Sequence, residues 1–487
     1  MKKIVVSIMA LSILFSCGDL EELNVNNKKA KEAPAGTLFA NGQRNLSDIL
    51  VSTNVNRGVW RLLAQHWTET TYFSEARYDL DTRNIPQNVW DILYRDVMMD
   101  FETARISLKE LDPVFIEEEL RQNQLALIDI MEVYTWSVLV NTYGPIPYVS
   151  DSFEGGEALD IDNASPAYTK AEDIYHDLIT RLNADIKTLE TTTETETLGS
   201  YDLLYSGNKA TWLRFANSLK LRLGMTLAEA PGFDAKTIVS EAAPKVFTSS
   251  ADNALIKYKE TTPNTNPVWV DLVQSGREDF VAANTIVDKM VALDDPRLPA
   301  YFATVDVDGT DIYLGGIYGV KNTASNYSFP SATIMDPTLP GVLLDYSEVL
   351  FYLAEAVERG FITTGSAETY YNQAITESMH FWGVEDADIA TYLARPEVAY
   401  TSAAGDYKTK IGVQKWFALY NRGHEAWTEW RRLDAPTLVA PPDAFSDVPL
   451  RFPYPVAEQN LNTVNYDDAV RMIGKDVVAT PIFWDVQ

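Results

Sequence analysis

The sequence predicts a mainly α-helical fold, and three observations carry that expectation. Apolar residues recur at three- and four-residue intervals over several long stretches, the period of a helix with one buried face. Residues 231–343 break that period with prolines, glycines and short polar runs, which predicts an irregular, loop-rich part beside the helices. The chain has 487 residues, 46% hydrophobic and 22% charged. That is enough to bury a large core without crosslinks.

In chain order, Met1-Lys2-Lys3 and the apolar run Ile4 to Phe15 read as a signal peptide over residues 1–16. The run is too short to span a bilayer, which takes about 20 residues. Leu14-Phe15-Ser16-Cys17 resembles a bacterial lipobox, with Phe15 bulkier than the usual residue there. The lipobox implies cleavage before Cys17 and acylation of that residue. Several acyl chains hold a protein stably on a membrane, where one does not. Cys17 is also the one cysteine in the chain, so no internal disulfide and no cysteine-rich metal site can form. Polar, aperiodic residues 17–36 read as a tether to the folded domain. Within them Asp19, Glu21 and Glu22 resemble a surface-export signal of Bacteroidota lipoproteins, which points to the outer face of the outer membrane.

Leu46, Ile49 and Leu50 lead at helical spacing to Trp60 through Trp67. Residues 68–88 lose the period and carry Tyr72, Phe73 and Tyr78 among polar neighbours, which predicts a long ordered loop. A helix over 117–143 has Leu120, Leu127, Ile130, Met131, Tyr134 and Leu139 on one face, and stops at Gly144-Pro145-Ile146-Pro147. Further helices fit 168–190, 208–229, 344–360 and 366–382, the early ones joined by a solvated Thr/Glu run. Helix pairs of this length, with Ala and Tyr at the contacts, predict tetratricopeptide-like units, although no strict 34-residue repeat is visible. Thr304 to Tyr313 reads as a hairpin with an Asp308-Gly309 turn. A calcium loop from Asp306, Asp308 and Asp311 is disfavoured, since it lacks the glycine and distant glutamate such a loop needs.

Residues 413–433 read as one helix that brings Trp416, Phe417, Tyr420, Trp427 and Trp430 close to one broad face, which is core spacing. Glu425 with Arg422, and Glu429 with Arg432, read as ion pairs along that helix face rather than as an acid and base. His66, His176, His380 and His424 show no metal-ligand spacing, and no nucleophile elbow, phosphate loop or dinucleotide fingerprint is present. No catalysis, cofactor or metal is expected. A net charge of −29 repels phosphate backbones, which excludes nucleic acid as a partner.

Gln414-Lys415-Trp416, then Gly423-His424-Glu425-Ala426-Trp427 and Glu429-Trp430-Arg431-Arg432, resemble the hallmark helix of SusD/RagB-like outer-membrane lipoproteins. Ala64 to Trp67, Trp90 to Tyr94, Asn141 to Tyr148, Asp295 to Leu298, Leu350 to Ala356, Arg451 to Pro455 and Ile482 to Asp485 match the same family in the same order. The resemblance implies a tetratricopeptide-like half and an irregular half bearing a ligand site. It also implies a TonB-dependent SusC-like barrel as partner, and oligosaccharides or, for some members, peptides as ligands. The less favoured alternatives are a secreted glycan-degrading enzyme and a purely structural scaffold.

One domain over 37–487 is expected, with its helical scaffold in 37–230 and 344–435 and its ligand-binding part around 68–88 and 231–343. Aromatics stranded in polar, aperiodic loops are the candidates for sugar contact, because a core places its rings at helical intervals. Those are Tyr72 and Tyr78 with Arg83, then Tyr313, Tyr318 and Tyr327 with Asn326, and Trp269 in a proline-flanked turn. The family carries no binding-residue motif that could be transferred by position.

Overall fold

The computed structural model describes residues 33–150 and 158–486. The leader, Cys17 and the tether as far as residue 32 lie outside the described residues.

Helices dominate, as the period predicts. α1 (Ala35–Val51) packs against α4 (Met99–Glu110), with Phe39 5.9 Å from Phe101, and buries Leu46, Ile49 and Leu50. α2 (Trp60–Leu63) is a single turn. α3 (Ile85–Asp91) starts with Pro86 in its first turn, where a missing N–H costs nothing, and reaches α4 through a π turn at Ile92–Met98. α5 (Glu118–Tyr143) stops at Gly144, whose φ of +83° suits glycine. Its apolar window is 89% buried inside the protein, so it is a core helix. α6 (Ala171–Thr191) pairs with α5, and α7 (Lys209–Thr226) packs on α6 and on α8 (Ala235–Ala242). Asn208 caps α7 by accepting the Thr211 N–H at 3.0 Å.

The loop-rich part follows, with α9 (Pro267–Trp269), α10 (Asn284–Ala292) and α11 (Leu298–Tyr301). α12 (Tyr346–Glu358) and α13 (Ala367–Phe381) form a second tightly packed pair, capped by Asp345 and Ser366. α14 (Asp386–Leu393), α15 (Tyr407–Ala418), α16 (Gly423–Leu433), α17 (Val456–Leu461) and α18 (Thr463–Ile473) complete the helices. The strands make four antiparallel pairs. β1 (Trp67–Glu69) joins β5 (Phe280–Ala282), and β2 (Ile146–Pro147) joins β3 (Tyr168–Thr169). β4 (Ala254–Ile256) joins β8 (Gly341–Leu344), and β6 (Val305–Val307) joins β7 (Thr310–Ile312). The last pair is the expected hairpin: Asp308 and Gly309 both take positive φ, and Asp306 Oδ1 accepts the Gly309 N–H at 2.8 Å.

Two expectations for residues 413–433 need correction. The stretch is two helices, α15 and α16, because Asn421 turns the chain with φ +68° between them. Arg61 fixes that turn, bonding Asn421 O at 3.0 Å and Asn421 Oδ1 at 2.6 Å. Trp416, Phe417, Tyr420 and Trp427 are core as expected, while Trp430 is half-buried.

The second correction concerns the ion pairs: Glu429 does pair with Arg432, but Glu425 pairs with Arg222 and not with Arg422, and the network is buried and reaches across the fold. Arg432 bridges Glu429 and Glu355, and Lys415 Nζ lies 2.7 Å from Glu429. Arg222 bridges Glu348 and Glu425, and Arg422 binds Glu348 and Asp345 rather than Glu425. Four helices, α7, α12, α15 and α16, are tied together by these charges.

Burial alone would raise the Glu425 carboxyl, but Arg222, with His424 and Arg422, holds it down to about 2. Burial likewise opposes, and arginine overrides, at Glu429 and Glu355, both held below the usual carboxylate range. A lowered folded-state pKa gives stability that is present above the unfolded value of 4.5 and is lost as pH falls toward the folded one. The urea midpoint is therefore expected to drop steadily below about pH 4.5, measured by equilibrium denaturation between pH 7 and pH 3. A midpoint flat across that range would contradict the network's role.

Candidate functional site

The β1–β5 pair is a floor on which three loops close. Register sets Glu69 opposite Phe280 and Thr68 opposite Val281. Asn322 Nδ2 donates to Glu69 O at 3.0 Å, and the Gly319 N–H reaches Thr68 Oγ1 at 3.2 Å. Arg77 Nε donates to Gly319 O at 2.7 Å, while Phe445 N–H donates to Arg77 O at 2.9 Å. Gly319 has φ +72°, and a Cβ there would sit 2.3 Å from Pro441. Residues 70–84, 313–328 and 436–446 thereby converge on one surface.

The sequence-selected residues divide by exposure. Tyr78, 3% exposed, accepts a hydrogen bond from Gln65 Nε2 at 3.0 Å. Tyr318, 5% exposed, donates to Leu62 O at 2.7 Å, and the two rings lie 6.3 Å apart. These two brace the loops from beneath and offer no open ring face.

Tyr72 is 52% exposed, with the Arg83 guanidinium 5.1 Å from its ring centroid. Arg83 is held in turn by an ion pair with Glu75, whose side chain is fully buried. Beside it Arg77 lies 4.6 Å from the Phe73 ring centroid. Tyr72 therefore stands as a supported ring on the surface. Tyr313 and Tyr327 are half-buried and Asn326 is exposed, at the turn Ala324–Asn326. Trp269 is half-buried in α9, whose cap is the Asn266 side chain. No ring contact or hydrogen bond links Trp269, Asn326 or Tyr327 to Tyr72 among the described residues.

Sequence reasoning missed three groups on this surface. Phe445 is 69% exposed beside Arg77, and Arg277, paired with Asp279, is brought near Tyr72 where Thr70 donates to Glu278 O and Asp279 O. The rule that selected Tyr72 would also have selected Phe445, an aromatic in the aperiodic run Pro441-Pro442-Asp443-Ala444-Phe445-Ser446.

The larger clefts lack this chemistry. One of about 310 Å³ between α4, α5 and α6 is lined by Arg105, Asp129, Glu132, Arg181 and Asp185, with no aromatic ring among the described residues. Another of about 540 Å³ has the single ring Phe483, and its Arg451 is already committed to Asp476 and Tyr143 O. A third, of about 30 Å³ beside Arg422 and His424, holds no more than a water or two.

Among known proteins, residues 26–455 match the model of a family named SusD-like and described as starch-binding and associating with the outer membrane. No curated protein sequence matches the chain. Several solved structures share the fold. One is a chitin-binding protein, 24% identical, with a TM-score of 0.79 over 93% of this chain and 100% of its own. A chitin-binding SusD homologue from Flavobacterium johnsoniae is 23% identical, with a TM-score of 0.77 over 93% of this chain and 99% of its own. A SusD homologue from Bacteroides uniformis is 24% identical, with a TM-score of 0.76 over 92% and 99%. These likenesses establish the mainly α-helical fold. The family match spans nearly the whole described domain, hallmark helices included, and the chain belongs to the SusD-like family.

Proposed function

We propose that this protein is a cell-surface lipoprotein that captures oligosaccharides on the surface around Tyr72 and passes them to a TonB-dependent SusC-like barrel. The single observation that carries the ligand site is the half-exposed Tyr72 ring, fixed by Arg83 on buried Glu75. A sugar presents a flat CH face to such a ring and hydroxyls to its polar neighbours, here Arg83 and Arg277. Family membership supports glycan as the ligand, and so do two chitin-binding proteins among the structures that share the fold. The lipobox at Cys17 supports the lipid anchor. Binding without catalysis is favoured because Glu69 and Glu75, beneath Tyr72, are fully buried and cannot touch a ligand, and Asp279 is paired with Arg277.

Tyr72→Ala is expected to lose tenfold or more in glycan affinity, because an aromatic contact contributes ~1.5–3 kcal/mol. The melting temperature should stay the same, since half the ring is already in water. Affinity electrophoresis in gels containing glycol chitin or starch reads the first, and a thermal scan the second. Retention equal to wild type on every glycan that the wild type binds would move the site elsewhere. Retention of peptides alone would favour the peptide-binding branch of the family, and release of shortened sugars would sink binding without catalysis.

A further inference from the structure

Two buried carboxyl groups lie under the Tyr72 surface, and one cation, Arg83, pairs with one of them. Glu69 ends β1 and turns its side chain beneath the loop, fully buried. Its Oε2 accepts the Ala76 N–H at 2.8 Å, while its Oε1 has no hydrogen-bond donor within reach. Glu75, next to Ala76 in the chain, is also fully buried and holds Arg83. The other charged and titratable groups around the pair face elsewhere. Arg77 is committed to Gly319 O and the Phe73 ring. Tyr78 accepts from Gln65, and Tyr318 donates to Leu62 O. On the strand opposite, Phe280 pairs with Glu69, and the adjoining Asp279 is committed to Arg277.

A buried carboxylate oxygen without a donor is costly, and so are two like charges in one buried site. A single proton resolves both. Resting on the reading of this surface as the ligand site, we propose that Glu69 is a positioning residue for Tyr72, sharing one proton with Glu75 so that Glu75 can anchor Arg83.

The proton belongs on Glu69, because Glu75 is the partner that holds the guanidinium. The Glu69 O–H then donates to Glu75, which satisfies the orphaned oxygen and leaves the Glu75 charge to Arg83. Arg83 in turn backs the Tyr72 ring. Loss of that proton to solvent places two carboxylates on one arginine and loosens the segment from Tyr72 to Arg83. Burial first, and the Glu75 charge second, push the Glu69 carboxyl well above its usual range, in keeping with this arrangement. A raised folded-state pKa on an acid favours the protonated form. Its contribution is full at and below the unfolded value of 4.5 and is lost as pH climbs to the folded one. The loop is therefore tight on the acidic side and opens on the alkaline side.

Hydrogen exchange of residues 70–83 in the ligand-free protein tests this between pH 6 and pH 9.5, after correction for intrinsic rates. The wild type is expected to lose protection tenfold or more toward high pH. Glu69→Gln, whose amide donates to Glu75 without titrating, should give a flat profile, and Glu75→Gln, which removes the neighbouring charge but leaves Glu69 buried, a weaker profile whose step moves to lower pH. Parallel profiles in wild type and Glu69→Gln overturn the proposal. If Glu69→Gln does not fold, a Glu75→Gln profile whose alkaline step stays at the wild-type pH overturns it instead. Retention of glycol chitin over the same range separates this idea from the functional reading. An exchange step without glycan binding at any pH keeps the positioning role and sinks the glycan. Tyr72-dependent retention with parallel exchange profiles does the reverse.

Discussion

Glu429→Gln is expected to cost about 3–5 kcal/mol of stability, the cost of leaving buried charge uncompensated. Glu429 takes hydrogen bonds from Lys415 Nζ and Arg432 Nη2, both at 2.7 Å, and from Tyr352 OH at 2.9 Å. Arg432 keeps a second acid in Glu355, to which its two terminal nitrogens donate at 2.6 Å each. Lys415 has no such reserve. It is 1% exposed, lies 3.2 Å from the Tyr352 ring centroid, and among the described residues makes one salt bridge, to Glu429. Burial already lowers its pKa, opposed by the Glu429 charge, so the glutamine leaves lysine with a choice between deprotonation and an unpaired buried charge. Either is expensive. Urea denaturation at pH 7 measures the loss. A Lys415→Met, Glu429→Gln double variant should recover part of it, because removing both charges removes the unmet desolvation. A single variant within 1 kcal/mol of wild type would show that the network contributes little.

The same network marks the limit of what the sequence could tell. Helices such as Glu118–Tyr143 and Ala171–Thr191 were legible to within a few residues as 117–143 and 168–190, because their buried faces follow the 3.6-residue period. Ion pairs are different. Glu429 and Arg432 have the same spacing whether their helix faces water or the core, so the sequence places them together and cannot say that both are buried. Glu355, 77 positions away from Arg432, leaves no trace at all in the local pattern. The break at Asn421 is hidden for a similar reason. Leu419, Tyr420 and Trp427 are apolar in either a turn or a helix, and only the left-handed φ at Asn421 separates the two.

The candidate site divides along the same line. Tyr72, Tyr78 and Tyr318 lie outside the helical period as their aperiodic sequence predicts, whereas Trp269 falls in the helical turn of α9. Whether such a ring points into another loop, as Tyr78 and Tyr318 do, or into water, as Tyr72 does, depends on loop packing on loop. That packing has no period to read. Arg277 and Phe445 come to this surface from segments about 200 and 370 residues away from Tyr72, distances over which local sequence carries no signal.

Gly423→Ala is expected to destabilise the protein by about 3 kcal/mol, at the upper end for one methyl group forced into a packed core. The cause is space, since Gly423 is absent from the residues with positive φ. A Cβ at this position would lie 2.6 Å from Arg61 N and 2.8 Å from Trp60 C. Both are backbone atoms of α2, with no side-chain rotamer available to relieve the clash. α16 would have to lift away from α2, and the turn before it would lose its grip, because Arg61 also holds Asn421 and Ser52 O. Trp60 would move with it, and its ring lies 5.3 Å edge-on from His424 and 6.2 Å stacked on Phe452. Gly360 supplies the control. It has φ +66° and nothing within 4 Å of an added methyl group, so Gly360→Ala meets only the ~1 kcal/mol cost of a left-handed alanine. Urea denaturation of both variants should therefore rank Gly423→Ala well below Gly360→Ala. The opposite order would mean that α16 and α2 can separate freely, and that the glycine of the hallmark helix is there for its backbone freedom and not for the close approach of two chain segments.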